Sequence, residues 1–470
     1  MIDKRDLVVI GGGAGGLVVA SVASQLGLDV VLINKEEAMG GDCLHYGCVP
    51  SKALLKSASV AHLMSNADRW GLTPTKLDTD MQLVNRAIKN SIDTIQVHDS
   101  RERFEALGCE VITGAARFVS PSQIEINEKK INAKRFVIAT GSSVFVPEIK
   151  GLADVDYLTN EDMFSLPALP GRLIILGGGP VGVEMAQAYS RLGSDVTLVE
   201  MATRLIPRMD EDSSLMLKDV LSSEGVSVHL GAEVVEVYAD NDEKHIRLGD
   251  GSVLKADALL LAIGRRPVVE SLGLGKANVD YSAAGIKVNR KMQSSNKRVF
   301  ACGDVTGEMP LTHVAELQAG IVIANMIFKF PKKVNYDVIP SVIYTDPEVA
   351  QVGLSVDECQ QLKHGEVSQF EVSQLDRAIT DNSKQGIAKI LTDKGRIVGA
   401  HIVAPHAGEL IHELALAVQE KMKISKISAL VHAYPSYSQL NKRLAGQYYK
   451  DRFFSPLTIK IVKFLNRFTS

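Results

Sequence analysis

Two cysteines five positions apart, Cys43 and Cys48, lie in the stretch Gly40-Gly41-Asp42-Cys43-Leu44-His45-Tyr46-Gly47-Cys48-Val49-Pro50-Ser51-Lys52. If the segment is helical, the two side chains sit nearly above one another, close enough for a disulfide. The spacing therefore permits reversible dithiol–disulfide chemistry. Half of a metal site is the other chemistry open to such a pair, but no second cluster of Cys and His completes a zinc site. Cys109, Cys302 and Cys359 stand alone among apolar or ordinary neighbours and read as small buried residues.

A sulfur pair needs a source of electrons, and two glycine-rich turns point to one. Leu7-Val8-Val9-Ile10 reads as a buried parallel strand and leads into Gly11-Gly12-Gly13-Ala14-Gly15-Gly16. A helical stretch and a second apolar strand, Val30-Val31-Leu32-Ile33, complete the unit. Leu173-Ile174-Ile175-Leu176 opens a second copy, with the turn Gly177-Gly178-Gly179-Pro180-Val181-Gly182 and the strand Val196-Thr197-Leu198-Val199-Glu200. One offset, 166 residues, relates Gly11 to Gly177, Gly13 to Gly179, Gly16 to Gly182 and Asn34 to Glu200. Glycines here permit a tight turn and let N–H groups at a helix start approach a pyrophosphate. Two matched units predict two dinucleotides and hydride traffic between them. Glu200 stands where an acid bonds a ribose 2′-hydroxyl and repels a 2′-phosphate, which favours NAD over NADP, although Arg204 follows four residues later. At the matching place Asn34 is read either as a neutral ribose partner or as a plain loop residue, with Glu36 as a further candidate.

The chain as a whole fits this reading. Its 470 residues suggest three or four domains' worth of fold, and 46% hydrophobic with 23% charged residues is globular composition. A net charge of -3 gives no reason to expect nucleic acid as a partner. No apolar run reaches membrane-spanning length, and Met1-Ile2-Asp3-Lys4-Arg5-Asp6 has no apolar signal core. Five cysteines do not make a secreted disulfide scaffold, so a cytoplasmic protein is expected.

The Gly40–Lys52 stretch resembles the active-site signature of the class I pyridine nucleotide–disulfide oxidoreductases, the group of dihydrolipoamide dehydrogenase, glutathione reductase and mercuric reductase. Further motifs follow in the family's order. They are Phe136-Val137-Ile138-Ala139-Thr140-Gly141, Leu261-Ala262-Ile263-Gly264-Arg265-Arg266-Pro267, Val299-Phe300-Ala301-Cys302-Gly303-Asp304 and Tyr344-Thr345-Asp346-Pro347-Glu348-Val349-Ala350. The resemblance implies an α/β fold with two Rossmann-like domains of the glutathione reductase type and an α+β C-terminal dimerisation domain. The implied boundaries are 1–149 for the first FAD part, 150–266 for the NAD(P) domain, 267–340 for the second, central FAD part, 341–446 for dimerisation and 447–470 for a tail. It implies a homodimer that binds FAD and NAD(H), with NADP(H) as the alternative. Hydride would pass from NADH through the flavin to a Cys43–Cys48 disulfide and on to a substrate. Cys48 would face the flavin and Cys43 would exchange with substrate. Lys52 would lie near the flavin with Glu184 as its partner, its charge stabilising a thiolate. Flavin contacts are implied at Gly11, Gly13, Gly16, Asn34, Gly41, Lys52, Ala116, Thr140, Gly141, Asp304 and Thr312. Dinucleotide contacts are implied at Gly177, Gly179, Gly182, Glu200 and Gly264.

One region departs from the pattern. Disulfide-handling members carry a His-Pro-Thr-x-x-Glu type motif near the C-terminus; here the stretch is His432-Ala433-Tyr434-Pro435-Ser436-Tyr437-Ser438-Gln439. Tyr434 replaces the catalytic His and Gln439 the Glu that orients it. An ordinary Tyr stays protonated to about pH 10 and makes a poor base at neutral pH. His432, two residues away, would share a face with Tyr434 in extended chain and substitute in part, or it is a plain structural histidine. The substrate is therefore left between a dithiol or disulfide and a metal ion. The ending Asn466-Arg467-Phe468-Thr469-Ser470 has no metal-transferring cysteine pair, and no N-terminal metal-binding module is expected. A rival reading is a diaphorase-like NADH-driven donor to a quinone or a membrane partner; a non-catalytic flavin scaffold fits poorly with intact Cys43, Cys48 and Lys52.

The tail adds a last feature. Leu457, Ile461, Phe464, Leu465 and Phe468 make an apolar helical stripe after Pro456, opposite Lys460, Lys463, Asn466 and Arg467. From Gln447 onward five basic residues (Lys450, Arg452, Lys460, Lys463, Arg467) face one acid, Asp451, a net +4. Packing of the stripe on the dimerisation domain is the expectation; contact with an anionic membrane surface is the alternative.

Overall fold

A computed structural model describes residues 4–241 and 243–467, with only the backbone at 451 and 452. Phe468 of the tail stripe lies outside the described residues, as do Met1, Ile2, Asp3, Asp242, Thr469 and Ser470. The chain forms two compact units. One comprises Met1–Ser57, Asp78–Gly177 and Val234–Asn335; the other comprises Ala58–Leu77, Gly178–Glu233 and Tyr336–Ser470.

The first unit is built on a seven-stranded sheet. Strands β1 (Lys4–Ile10), β2 (Val30–Asn34), β3 (Cys109–Thr113), β4 (Arg117–Ser120), β5 (Gln123–Ile126) and β6 (Lys129–Ile138) run in the order β3-β2-β1-β6-β5-β4. The β3, β2, β1 and β6 pairings are parallel, and β4 and β5 form an antiparallel flap. Runs of Val, Ile and Leu suit such strands because both faces are covered, and Val8, Val9, Val31 and Leu32 are fully buried. Strand β6 changes partners along its ten residues. Its first third pairs β5, its later residues pair β1, and Phe136–Ile138 also take the strand Val299–Ala301 in parallel. Phe136 meets Phe118 edge-on at 5.0 Å in the core beneath.

Helix α1 (Ala14–Gln25) starts at the first glycine turn and packs on the helix Thr312–Met326. Both are mostly apolar, although the second keeps His313 and Glu316 exposed on one side. The unit also contains the parallel pair Arg172–Leu176 and Ala258–Leu261, the base of the second glycine turn.

In the second unit, Asp195–Glu200 pairs in parallel with Ser227–Leu230. The C-terminal part is a five-stranded antiparallel sheet from Ser341–Ile343 to Arg396–Ala404. Leu410, Ile411 and Leu414 of the helix Ala407–Gln419 and Leu440 and Leu444 of the helix Gln439–Phe453 fill its core. Pro456–Leu465 forms the tail helix, capped by the Ser455 hydroxyl, which accepts from the Thr458 N–H. None of the residues Pro456–Leu465 is buried within the single chain. Among the described residues no helix is long and apolar enough to cross a membrane.

Candidate active site

The two cysteines do not share one helix. Cys43 belongs to the short helix α2 (Gly41–His45), and Cys48 opens helix α3 (Cys48–Ser65). Gly47 makes the break. A Cβ there would lie 2.9 Å from the Asp42 carbonyl oxygen and 3.3 Å from Cys43 Cα, so only glycine lets the chain fold back this closely. The fold-back, not a helical repeat, brings the thiols together. Both are unbonded, and the Cys43 thiol is hydrogen-bonded to Cys48. That bond, followed by burial and the charge on Cys48, pushes the Cys43 thiol far above the ordinary range.

Cys48 Sγ lies 3.4 Å from Thr312 Oγ1, the first residue of the helix Thr312–Met326. A helix N-terminus favours negative charge, so a Cys48 thiolate is helped by both the hydroxyl and the helix. Lys52 stands one turn along α3 from Cys48.

A polar network that the sequence did not single out ties this corner down. Arg265 pairs with Asp42, next to Cys43, at 3.1 Å. It also donates to the Ser142 hydroxyl and carbonyl, each at 2.8 Å, and to Asn160 Oδ1 at 3.3 Å. Asn160 donates in turn to Asp42 (3.1 Å) and to the Tyr46 carbonyl (2.9 Å). Ser142 passes the chain on, its hydroxyl donating to Asp304 Oδ2 at 2.6 Å. Thr140 donates to the Val268 carbonyl at 3.0 Å, and Ala116 is buried, leaving its backbone as the part that can meet a ligand.

The two glycine turns match atom by atom. Gly11 (φ 113°) lies against the Ala139 carbonyl and Gly177 (φ 108°) against that of Ala262. In the first turn the Gly12 N–H donates to Asn34 Oδ1 at 3.0 Å; in the second the Gly178 N–H donates to Glu200 Oε2 at 2.5 Å. Asn34 is therefore neither free nor a bystander: it braces the first turn as Glu200 braces the second. Glu200 Oε1 takes the Ala202 N–H at 2.7 Å, and Arg204 is turned to the Pro207 carbonyl at 2.8 Å. A Cβ at Gly13 would meet only Gly41 Cα, at 3.8 Å, and at Gly141 or Gly179 it would meet nothing within 4 Å. At Gly13 and Gly179 packing does not demand glycine, and a pyrophosphate close to the backbone would; at Gly141 the left-handed φ of 66° demands it. The turns thus fit a dinucleotide each, the first with Asp304 and Gly41 on its side. Gly264 is the φ 126° hinge whose carbonyl accepts from Phe145. Gly182 falls within the helix Pro180–Leu192 and is buried.

Three further residues are placed individually. Glu184 is buried and accepts the Tyr344 N–H at 2.9 Å. Tyr434 is 68% exposed, and a hydrogen bond to Asp376 raises its phenol above the ordinary range. His432 does not share a face with it, because residues 431–438 form no strand. Its imidazole is turned inward, with Nε2 3.2 Å from the Glu413 carboxylate and Nδ1 3.3 Å from the Leu430 carbonyl.

Residues 5–319 match the family model for pyridine nucleotide-disulphide oxidoreductases, and residues 339–444 match that family's dimerisation domain. The chain belongs to this family: it is an FAD-dependent oxidoreductase that uses NAD(P)H and carries a homodimerisation domain. It is 31% identical to a mercuric reductase of Bacillus cereus over 95% of this chain and 72% of that one. It is 34% identical to mitochondrial dihydrolipoyl dehydrogenase 1 of Arabidopsis thaliana over 94% and 90%. Among solved structures, the Cu(II) complex of an HOCl-induced flavoprotein disulfide reductase from Escherichia coli matches with a TM-score of 0.86 at 25% identity, over 94% of this chain and 99% of that one.

Proposed function

We propose that this enzyme uses NADH to reduce the Cys43–Cys48 pair, and that the pair passes two electrons to a thiophilic metal ion. The observation that carries this choice is the state of the two side chains where disulfide-handling relatives keep a histidine base. Tyr434 is held in its protonated form by Asp376, and both ring nitrogens of His432 already face acceptors. A disulfide substrate needs a proton for its leaving thiol and a base to regenerate the attacking thiolate. A soft metal ion needs only two sulfur ligands, and it displaces their protons itself. The mercuric reductase relatives and the Cu(II)-bound neighbour support an acceptor of that kind.

FAD, when bound, supplies the two-electron relay between nicotinamide and sulfur. In balance, NADH, one proton and the disulfide give NAD⁺ and two thiols. The dithiol then gives two electrons, to one Hg(II) or to two Cu(II) ions in turn, and two protons to solvent as the disulfide closes. Within this cycle the chain's own groups have distinct tasks. Thr312 and the helix it opens stabilise negative charge on Cys48. Cys43, whose thiol is pushed above the ordinary range, is the sulfur that meets the substrate. The Arg265 network fixes Asp42 and with it the turn that carries Cys43. Glu200 holds the second turn for a ribose diol, and Arg204 is turned away from any 2′-phosphate.

The test is steady-state oxidation of NADH and NADPH against Hg(II), Cu(II), lipoamide, glutathione disulfide and quinones. We expect turnover with a metal ion to exceed that with either disulfide by about tenfold or more. Glu200→Ala is expected to erode the NADH preference by roughly tenfold, the worth of a charge-assisted hydrogen bond. Lipoamide turnover equal to that of the metals would sink the metal assignment.

A specific observation favours a membrane setting as well. Leu457, Ile461, Phe464 and Leu465 are 48–69% exposed on a ten-residue helix, opposite Lys460 and Lys463. So short a helix is marginal in water, and each apolar side chain covered adds about 1.5–3 kcal/mol. An anionic lipid surface would cover that face and place the enzyme beside a membrane quinone. Full-length protein is expected to co-sediment with anionic but not neutral liposomes, and a truncation after Phe454 is expected to stay in the supernatant. Equal behaviour of the two proteins would remove the tail from consideration.

A further inference from the structure

The first unit holds a second concentration of charge, away from the sulfur pair. A cavity of about 270 Å³ is lined by Arg135, Lys291, Lys297 and Lys329, with the amides of Gln293 and Asn325 between them. An adjoining depression adds Arg290 and Lys333. No carboxylate lines either hollow, and among the described residues none of the six cations makes an ion pair. This is unusual in a chain whose net charge is -3.

Four separate segments supply these groups. Arg135 comes from β6, Lys297 from the turn before Val299–Ala301, Lys291 from the turn after Gly285–Ile286, and Lys329 from the segment after the helix Thr312–Met326. Two of the segments turn through left-handed residues, Met292 (φ 62°) and Lys329 (φ 58°). Lys329 Nζ donates to the Met326 carbonyl at 2.8 Å, so the helix C-terminus accounts for one of the cations. It does not account for Arg135, Lys291 or Lys297. Cations gathered without acids repel one another, and the ammonium of Lys329 is depressed by burial and by Arg135. A multiply charged anion would relieve that repulsion, and guanidinium and ammonium groups are the standard donors to phosphate oxygens.

The hollow is not part of a dinucleotide turn. Asn325 lies thirteen residues along the helix that begins at Thr312, about 20 Å away at 1.5 Å per residue. The volume equals that of about nine waters at ~30 Å³ each, room for linked phosphates.

We propose that this cavity is a binding site for phosphate, as a single group or as linked groups. Two sources share that chemistry: a soluble phosphate ester and an anionic lipid headgroup. Phe328 and Phe330, 61% and 69% exposed on either side of Lys329, suit the rim of either.

The experiment uses the full-length holoenzyme with excess NAD⁺ present, so that the glycine turns are filled. Binding of inorganic pyrophosphate is measured by calorimetry, and binding of phosphatidylglycerol and phosphatidylcholine vesicles by co-sedimentation. Each is compared with Arg135→Gln/Lys297→Gln and with Lys297→Gln alone, an exposed position that folding tolerates. The proposal expects the double variant to lose at least about tenfold in pyrophosphate affinity, or a similar share of phosphatidylglycerol binding, with NADH turnover unchanged. Loss with pyrophosphate assigns a soluble ligand; loss with phosphatidylglycerol alone assigns a lipid. No binding of either probe, or binding that both variants retain in full, overturns the site.

Discussion

Cys48→Ser is expected to leave a yellow, FAD-loaded protein that no longer turns over. Cys48 lies against Thr312 and the start of a long helix, whereas the Cys43 thiol is pushed above the ordinary range, so we propose that negative charge on the reduced pair resides on Cys48. A thiolate beside bound flavin gives a long-wavelength charge-transfer absorption, and titration of the wild type with NADH should develop it. The serine variant should lack the band throughout the titration. Its turnover should fall by about a thousandfold or more, as when one member of a reacting pair is deleted. The Cys43→Ser variant separates the two sulfurs: it also fails to turn over, yet it keeps the band. A band that survives in Cys48→Ser, with flavin retained, would reverse the assignment of the two thiols.

Gly16→Ala and Gly13→Ala should fail in different ways. A Cβ at Gly16 would sit 1.9 Å from the Gly11 carbonyl oxygen, inside any permissible contact, so the turn or the helix must move. Overpacking of a buried site costs about 1–3 kcal/mol, and a backbone obstacle belongs at the top of that range. Insoluble or flavin-free protein is expected. At Gly13 the nearest atom would be 3.8 Å away, so the apoprotein should fold and melt as the wild type does. Its FAD affinity should nevertheless drop by tenfold or more, because the added methyl stands where a pyrophosphate must approach. Flavin absorbance per chain and thermal unfolding of the apoproteins separate the two effects. Equal FAD affinity of Gly13→Ala and wild type would show that the first turn does not hold the pyrophosphate.

Much of this was readable from residue order because it depends on local rules. The offset of 166 residues links the two turns in the sequence, and the structure extends it to hydrogen bonds at Asn34 and Glu200. The meeting of Cys43 and Cys48 was anticipated for the wrong reason, since a helical repeat was assumed where Gly47 folds the chain back. That role is set by a contact with Asp42, which spacing does not report. Arg265 stood inside a recognised motif, but Asn160 and Ser142 carried no signal, because their partners lie more than 100 residues away. Of the two readings of His432, a shared face with Tyr434 needs extended chain, which residues 431–438 do not form; the structural reading agrees with its contact to Glu413 on the helix Ala407–Gln419. The tail stripe was read correctly as a helix, whereas its exposure depends on which surfaces the fold leaves in reach.

The partner change of β6 has a consequence for biogenesis. Phe136, Val137 and Ile138 are fully buried with Val299–Ala301 paired along one edge, and 163 residues separate Phe136 from Val299. At the ribosomal pace of about 5–20 residues per second, the nascent strand waits roughly 10–30 s for that neighbour. Throughout that interval it presents an unpaired apolar edge, the kind of edge that templates aggregation. Asp304, which we propose contacts the flavin, follows the late strand by three residues and so emerges as late. A nascent chain of this enzyme therefore cannot close around its cofactor until about two thirds of it has been made. Chaperone supply and flavin supply at that moment, more than codon choice at the start of the message, should govern the yield of loaded enzyme.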